Sequence, residues 1–499
     1  MGNRKMQRRQ CASLLGLWAL LVCGAAPRAA AVDQSAVRAL PVARAAVTGD
    51  FDDILAARKR RLVVLVTYSR TLYFNDRGQE RGMVADLARD FERFLNAKLK
   101  TGARPITVVL APVTRDQLLP GLSAGLGDIA AAGLTATPER LQLVDFVVPP
   151  GGATTTSSAV SEVVITGPKS APVHGIDDLS GRTIEVRPST SYYQSLLSLN
   201  ATFARQGRAP MILRQLPDAI QDEDMLEMVN AGLLSTIVAD DWLAALWQPE
   251  LPAITINRTA VVRSGGNIGW AIRKHSPQLQ AQIDDFFKRF VARQGVVRMR
   301  NAQYARQVKK LRDPSGTREW ARFEQTLKLF DKYGTQYNFD PLMLVAQGFQ
   351  ESRLDQQARS RVGAIGIMQI MPAVGEQLKV GDIHIAESNI HAGAKYMDML
   401  MTRYFQDATF SDADRSLFAF ASYNAGPGNI RRMRAEAKRR GLDSNQWFNH
   451  VEAVTAEKIG VETTAYVRNI FKYYVAYKLM AEVRAAQEKA RADAVPFGR

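Results

Sequence analysis

The chain has 499 residues, 46% apolar and 23% charged. That suits a soluble globular protein of about two or three domains and excludes a disordered, collagen-like or polytopic membrane chain. Two cysteines, Cys11 and Cys23, both near the N-terminus, rule out a disulfide framework or a cysteine-based zinc site in the body of the protein. The five histidines show no His-x-x-x-His or His-Glu-x-x-His spacing, so nothing supports a histidine-rich catalytic metal site. A formal net charge of +16 favours association with polyanions: nucleic acid, an anionic membrane leaflet or an acidic wall polymer.

The N-terminus chooses among these. A basic stretch (Arg4, Lys5, Arg8, Arg9) precedes an apolar run over residues 11–26, and Ala29-Ala30-Ala31 supplies an A-x-A cleavage site. That order predicts a secretory signal over residues 1–31; the apolar run is short for a membrane span. An uncleaved anchor and lipidation at Cys23 are the alternatives. Cleavage leaves no cysteine, which suits an oxidising compartment. The prediction is export to a bacterial envelope, in the periplasm and peripheral on the outer membrane, with membrane-surface association and no nucleic-acid partner.

In chain order, RLVVLVT (61–67) reads as a buried strand. Residues 82–95 read as an amphipathic helix with Leu87, Phe91, Phe94 and Leu95 on one face. ITVVLA (106–111) reads as a second strand. Alternation to about residue 290 predicts α/β units with largely parallel pairing. The segment GDIAAAGLTATPER (127–140), followed by VDFVVPP (144–150), resembles the type 3 extracellular solute-binding proteins that capture amino acids. The resemblance implies two α/β lobes closing on a ligand at the hinge. It implies that Arg140 forks the ligand carboxylate with Thr135 in support. It also implies that Ser189-Thr190 in the second lobe helps, and that Asp240 takes the ligand ammonium. Each has a local alternative. Arg140 can cap its helix or pair with Asp145, Thr190 can be a loop hydroxyl, and Asp240 or Asp241 can cap the helix that follows. Tyr68 and Tyr73 are the candidates for an aromatic clamp.

A polar, basic stretch ending in DPSGT (313–317) reads as a boundary, and the pattern then turns helical. Trp320, Phe323, Leu327 and Phe330 share a face, with Gly334 as the stop. Asp340-Pro341 reads as an N-cap with proline at the first helical position. Leu342, Val345, Ala346 and Phe349 form the next apolar stripe. Glu351 ends that helix. A carboxyl beside an apolar stripe is desolvated, which raises its pKa and suits a general acid. In GAIGIMQIMP (363–372) the amide of Gln369 stands in an apolar segment and needs partners, such as a sugar hydroxyl or acetamido group. Tyr423-Asn424 ends a helix stopped by Gly426-Pro427, and Glu462 and Tyr466 open the last one.

These motifs in this order resemble the lytic transglycosylase domain of the goose-lysozyme-like superfamily; Ile367 stands where leucine is more usual. The resemblance implies a single catalytic acid/base, Glu351, cleaving the MurNAc–GlcNAc bond to leave a 1,6-anhydro end. Gln369, Tyr423, Asn424 and Tyr466 are implied to bind substrate or stabilise charge, and Glu462 to be structural. Asp355 and Asp382 remain open as a second carboxylate, which would favour hydrolysis. A basic helix over residues 429–440 reads as a solvated surface, or as a contact for stem-peptide carboxylates or anionic lipid.

The expected architecture is multidomain. It has a signal (1–31), an α/β two-lobed periplasmic-binding-protein-like regulatory domain (55–295) and a linker (296–318). A mainly α lysozyme-like catalytic domain (319–480) and a charged tail (481–499) follow. That combination resembles the membrane-bound lytic murein transglycosylase F group. The expected partners are peptidoglycan glycan strands and, at the first domain, a muropeptide or amino acid; no motif requires a metal or an organic cofactor. The rival classes are a hydrolytic muramidase, a sensor with a degenerate catalytic domain, and a solute receptor tethered by its C-terminal half.

Overall fold

The computed structural model describes residues 46–150, 159–292 and 320–494. The predicted signal and linker lie outside the described residues. Strand β1 (Arg61–Val66) is followed by a short hairpin, β2 (Phe74–Asp76) and β3 (Gln79–Arg81), that the pattern reading passed over. Then come β4 (Thr107–Pro112), β5 (Ile129–Ala136), β6 (Val144–Val147), β7 (Ala159–Thr166), β8 (Thr183–Val186), β9 (Ile212–Gln215), β10 (Thr236–Asp240) and the long β11 (Thr255–Arg273). Among them run α1 (Phe51–Ala57), α2 (Met83–Lys98), α3 (Leu118–Ser123), α4 (Pro138–Leu143), α5 (Ser191–Arg205), α6 (Asp222–Asn230), α7 (Asp241–Trp247) and α8 (Pro277–Phe286).

The main sheet has the order β4-β1-β5-β11-β7-β10-β8-β9, with β6 also on β11. Pairing is parallel in β4-β1-β5 and β10-β8-β9 and antiparallel wherever β11, β6 or β7 takes part, β10–β7 included. The predicted parallel pairing therefore holds within each lobe and is reversed in the connecting strands. β11 pairs with β7 through its first part and with β5 and β6 through its last, so one strand runs through both lobes. Alternate residues of β1 enter two different cores, Leu62, Val64 and Val66 on one face and Val63 and Leu65 on the other. That is why this strand reads as an unbroken apolar run: helices cover both faces of the sheet.

The helical half contains α9 (Trp320–Tyr337), α10 (Pro341–Ser352), α11 (Pro372–Leu378), α12 (Ala386–Tyr404), α13 (Asp412–Ala425), α14 (Pro427–Arg439), α15 (Glu452–Lys458) and α16 (Val461–Ala494). α9 does not stop at Gly334. A Cβ there would lie 2.9 Å from the Phe339 carbonyl and 3.1 Å from Pro341, so this glycine admits the start of the next helix. Asp340 caps α10 by accepting from the Leu342 amide at 2.8 Å, as expected of an aspartate before proline. α10 is more deeply set than a one-sided stripe: Met343 through Phe349 are all buried, which marks a central helix. The predicted charged tail begins as helix, since α16 runs on to Ala494.

α16 also joins the two halves, which lie within one compact unit, Ala39–Arg499. Its Val475, Ala476 and Leu479 sit in the core beneath α6 and α7 of the second lobe. Each such aliphatic side chain larger than alanine contributes roughly 1.5–3 kcal/mol when fully buried. On the other side, the tip of the β2–β3 hairpin meets α15 and the start of α16. The Arg77 amide donates to the Ala456 carbonyl at 2.8 Å, and the Val461 amide donates to Asp76 at 3.1 Å.

Candidate active site and ligand cleft

Glu351 stands in the last turn of α10. The chain leaves that helix through Arg353 and Leu354, both at positive φ (59° and 58°). Side chains lacking glycine's freedom hold such a turn only with help. Here the Arg353 guanidinium stacks 4.6 Å from the Phe349 ring centre and donates to the Tyr473 hydroxyl at 3.0 Å. Ser352 ties the turn to the next loop by donating to the Ile367 carbonyl at 2.9 Å.

The residue Glu351 is half-buried, but its carboxyl is enclosed. Burial pushes its pKa up from 4.5 to about 7, against the hydrogen bond from Tyr466, which lowers it. The Tyr466 hydroxyl donates to Glu351 Oε1 at 2.5 Å. Tyr423 is the second phenol facing it; burial and the nearby Glu351 charge raise its pKa well above 10. Its hydroxyl donates to the Met368 carbonyl at 2.7 Å. Asn424 accepts from the Thr463 hydroxyl at 2.8 Å, so the helix end that carries both residues is fastened to α16.

The GAIGIMQIMP loop is shaped by three positive-φ residues, Gly363 (91°), Gly366 (78°) and Gln369 (47°). A Cβ on Gly366 would lie 2.6 Å from the amides of Asn389 and Gln356, so this glycine is required for close approach. Asn389, fully buried, accepts from the Met368 amide at 2.8 Å and donates to the Ile365 carbonyl at 2.8 Å. Gln369 is half-buried rather than buried, and its amide donates to the Gly366 carbonyl at 2.9 Å, so part of its capacity already serves the turn. The sequence reading did not single out Asn389, Gln356 or Gln347. Each is a polar residue whose partner is distant in sequence.

The two open carboxylates stand apart from Glu351. Asp355 pairs with Arg322 at 3.2 Å, and exposed Asp382 pairs with His384 at 2.8 Å. Neither contributes to the Glu351 shift, whose causes are burial and Tyr466. Glu462 is exposed near the start of α16. In the basic helix α14, Arg440 just beyond its end pairs with Glu436 and Glu457 at 2.6 Å, and Arg434 is buried beneath it.

Between the two lobes lies a second polar centre. Buried Arg140 donates to the Thr135 carbonyl at 3.0 Å in its own lobe and to the Ser189 carbonyl at 3.2 Å across the cleft. Its alternative partner Asp145 is engaged by Lys274 at 2.7 Å. Burial and the neighbouring Arg115 and Arg263 push the Arg140 pKa down to about 10. Thr190 caps α5 and donates to the Arg187 carbonyl at 2.7 Å, which is its local alternative. Thr135 is buried beside Arg140. Asp241, not Asp240, binds the start of α7, accepting from the Trp242 amide at 2.8 Å. Asp240 is buried, its Oδ1 has no hydrogen-bond partner among the described residues, and burial together with Asp222 and Glu162 raises its pKa to about 7. Arg115 Nε, Arg187 Nε, Arg263 Nε and Glu162 Oε2 are also buried without partners among the described residues. Such a concentration of unsatisfied groups of both signs is what a zwitterionic ligand satisfies.

Tyr73 is a core residue. Tyr68 is the candidate clamp that faces another domain: the Arg468 guanidinium of α16 lies 3.7 Å from its ring centre. Arg468 also donates to the Ala219 carbonyl at 3.2 Å and pairs with Glu452. Four residues on, Lys472 donates to Glu227 at 2.9 Å with both groups buried, and Arg70 donates to the same carboxylate at 2.9 Å.

Residues 61–302 match the model for bacterial extracellular solute-binding proteins, family 3, and residues 328–446 match the transglycosylase SLT domain. A membrane-bound lytic murein transglycosylase F from Desulfosudis oleivorans is 28% identical over 434 residues, 83% of this chain and 89% of that protein. One from Ectopseudomonas mendocina is 26% identical over 436 residues, 83% of each. The solved structure of an ancestral arginine-binding protein bound to arginine aligns with 49% of this chain and 97% of its own at 20% identity, with a TM-score of 0.39.

Proposed function

We infer that this chain, a family 3 solute-binding domain joined to a transglycosylase SLT domain, is a peptidoglycan lytic transglycosylase. The observation that carries the mechanism is the enclosed carboxyl of Glu351, with a pKa of about 7 and, among the described residues, phenols rather than a second carboxylate beside it. Protonated Glu351 gives its proton to the oxygen between N-acetylmuramic acid and N-acetylglucosamine as that C–O bond breaks. The resulting carboxylate takes the proton of the muramic 6-hydroxyl as this oxygen bonds to C1. One group serves as acid and then as base, water is not consumed, and the product end is a 1,6-anhydro sugar. Hydrolysis by the usual scheme uses two carboxylates flanking the bond, and Asp355 and Asp382 are engaged elsewhere. Tyr466 and Tyr423 flank the reacting carboxyl, and on this reading Gln369 and Asn424 are substrate contacts.

The first domain, on this reading, binds an amino acid or a wall-derived peptide. Arg140 and Thr135 are on the carboxylate side, Thr190 helps from its place at the cap of α5, and Asp240 is on the ammonium side. Such a ligand alters turnover only through different affinity for two states of the enzyme. Among the described residues no helix is long and apolar enough to cross a membrane. From the sequence over residues 1–31 we infer export to the envelope, with the periplasm and the surface of the outer membrane as the proposed location.

The test is digestion of peptidoglycan sacculi by the parent and by Glu351→Gln, with the soluble products analysed by mass spectrometry. Anhydro-muropeptides from the parent and none from the variant are expected. Equal release by both would remove Glu351 from the mechanism.

A further inference from the structure

Gln347 lies one helical turn before Glu351 on α10 and is fully buried in the apolar centre of the helical domain. Buried polar side chains are ordinarily satisfied, yet Gln347 Oε1 has no hydrogen-bond partner among the described residues. Its amide nitrogen lies 3.4 Å from the Tyr466 hydroxyl oxygen. That hydroxyl has one proton, and the contact with Glu351 Oε1 uses it. The remaining lone pairs of the phenol only accept, so the group Gln347 turns toward it is its N–H. The alignment Gln347 N–H to Tyr466 O–H to Glu351 Oε1 therefore has one direction.

Resting on the lytic transglycosylase reading, we propose that Gln347 is a positioning residue for the reaction, holding Tyr466 as a donor to Glu351 Oε1 so that the acid proton resides on Oε2. A free Tyr466 hydroxyl can rotate and accept a hydrogen bond from the carboxylic acid instead. The proton is then held between Tyr466 and Glu351 and is lost to the glycosidic oxygen. The same rotation favours the protonated acid and withdraws a hydrogen bond from the carboxylate, so the Glu351 pKa rises. The titratable groups facing Glu351 are Tyr466 on α16 and Tyr423 on α13, with Tyr396 on α12 behind Tyr423. All three are phenols that stay neutral across the range of interest, so the titration belongs to Glu351.

A purely packing role leaves the Glu351 titration unmoved, because no hydrogen bond to the carboxyl then depends on Gln347. Replacing an amide that has an unsatisfied buried oxygen by an apolar side chain of similar size is neutral or stabilising.

The experiment uses the full chain with 13C-carboxyl-labelled glutamate. The Glu351 resonance is identified by its absence in Glu351→Gln and titrated in the parent, Gln347→Leu, Tyr466→Phe and the double variant. Turnover on sacculi is measured separately, so the titration is read whether or not the assigned reaction is correct. Gln347→Leu should keep or raise the melting temperature and lift the Glu351 pKa by about half a unit, the size of one neutral hydrogen bond. It should lower kcat by about tenfold with little change in KM. In the Tyr466→Phe background it should add no further shift. An unmoved titration in Gln347→Leu, or an equal additional shift in the double variant, would overturn the proposal; Gln347→Met repeats the comparison if the leucine variant folds poorly.

Discussion

Tyr466 donates its hydroxyl to Glu351 across 115 positions of chain, and the helix that carries Tyr466 is the one that docks on the solute-binding domain. Within two turns α16 presents Tyr466 to the carboxyl, Arg468 to the Tyr68 ring and Lys472 to Glu227. One helix, α16, thus touches both the Glu351 carboxyl and the solute-binding domain.

The pH profile follows from the Glu351 pKa of about 7. The first step requires the protonated acid, so kcat/KM should be level below pH 7 and fall by about tenfold per pH unit well above it. A rate that rises through this range would mean that Glu351 begins the reaction as a base.

The same shift bears on stability, and the sign is definite. The carboxyl pKa is raised from 4.5 unfolded to about 7 folded. Its favourable contribution is present below pH 4.5 and is lost as pH rises to 7. Glu351→Gln removes that loss and should stabilise the protein at pH 8 by roughly 1–3 kcal/mol, with little change at pH 4. Urea denaturation at the two pH values reads the difference, and an equal effect at both would show that the carboxyl is not desolvated.

For the domain junction, Glu227 accepts from both Lys472 and Arg70. Glu227→Gln removes the shared anion from two buried cations and should cost about 3–5 kcal/mol. Lys472→Met leaves the Arg70–Glu227 pair in place and should cost less. Equal losses in denaturation midpoint would mean that the junction does not depend on this carboxylate.

Ligand capture should depend on pH through Asp240. Its pKa is raised to about 7, and an ammonium group binds the ionised form. Affinity should therefore rise between pH 6 and pH 8, and Asp240→Asn should abolish the rise. A panel of free amino acids, screened by thermal shift and followed by calorimetry, supplies the probe. A pH-independent affinity in the parent would remove Asp240 from the ammonium side.

Much of this was legible because it is local. Asp340-Pro341 caps α10, the Gly426-Pro427 pair ends α13, and the run at 61–66 is a strand, all through contacts with near neighbours in sequence. Glu351 was legible from its motif and from the apolar residues before it. What escaped was set by distant partners. Gly334 reads as a helix stop because glycine ends helices, yet here it makes room for Pro341. Gln347 reads as one polar residue in an apolar helix until Tyr466 is brought beside it. Tyr68 and Tyr73 are equivalent in sequence, and only the packing puts Tyr73 in the core and Tyr68 beneath Arg468. The cluster around Asp240 draws on β7, β10, β11 and the turn after β8 together, which no local pattern announces.

The central claim is that Glu351 acts alone and that the sugar's own 6-hydroxyl, not water, attacks the anomeric carbon. Digestion of sacculi in 18O-labelled water tests it most directly, because hydrolysis places one solvent oxygen on the new end and the lytic route places none. The account predicts unlabelled 1,6-anhydro ends from the parent and no release by Glu351→Gln. Reducing ends carrying 18O would contradict it.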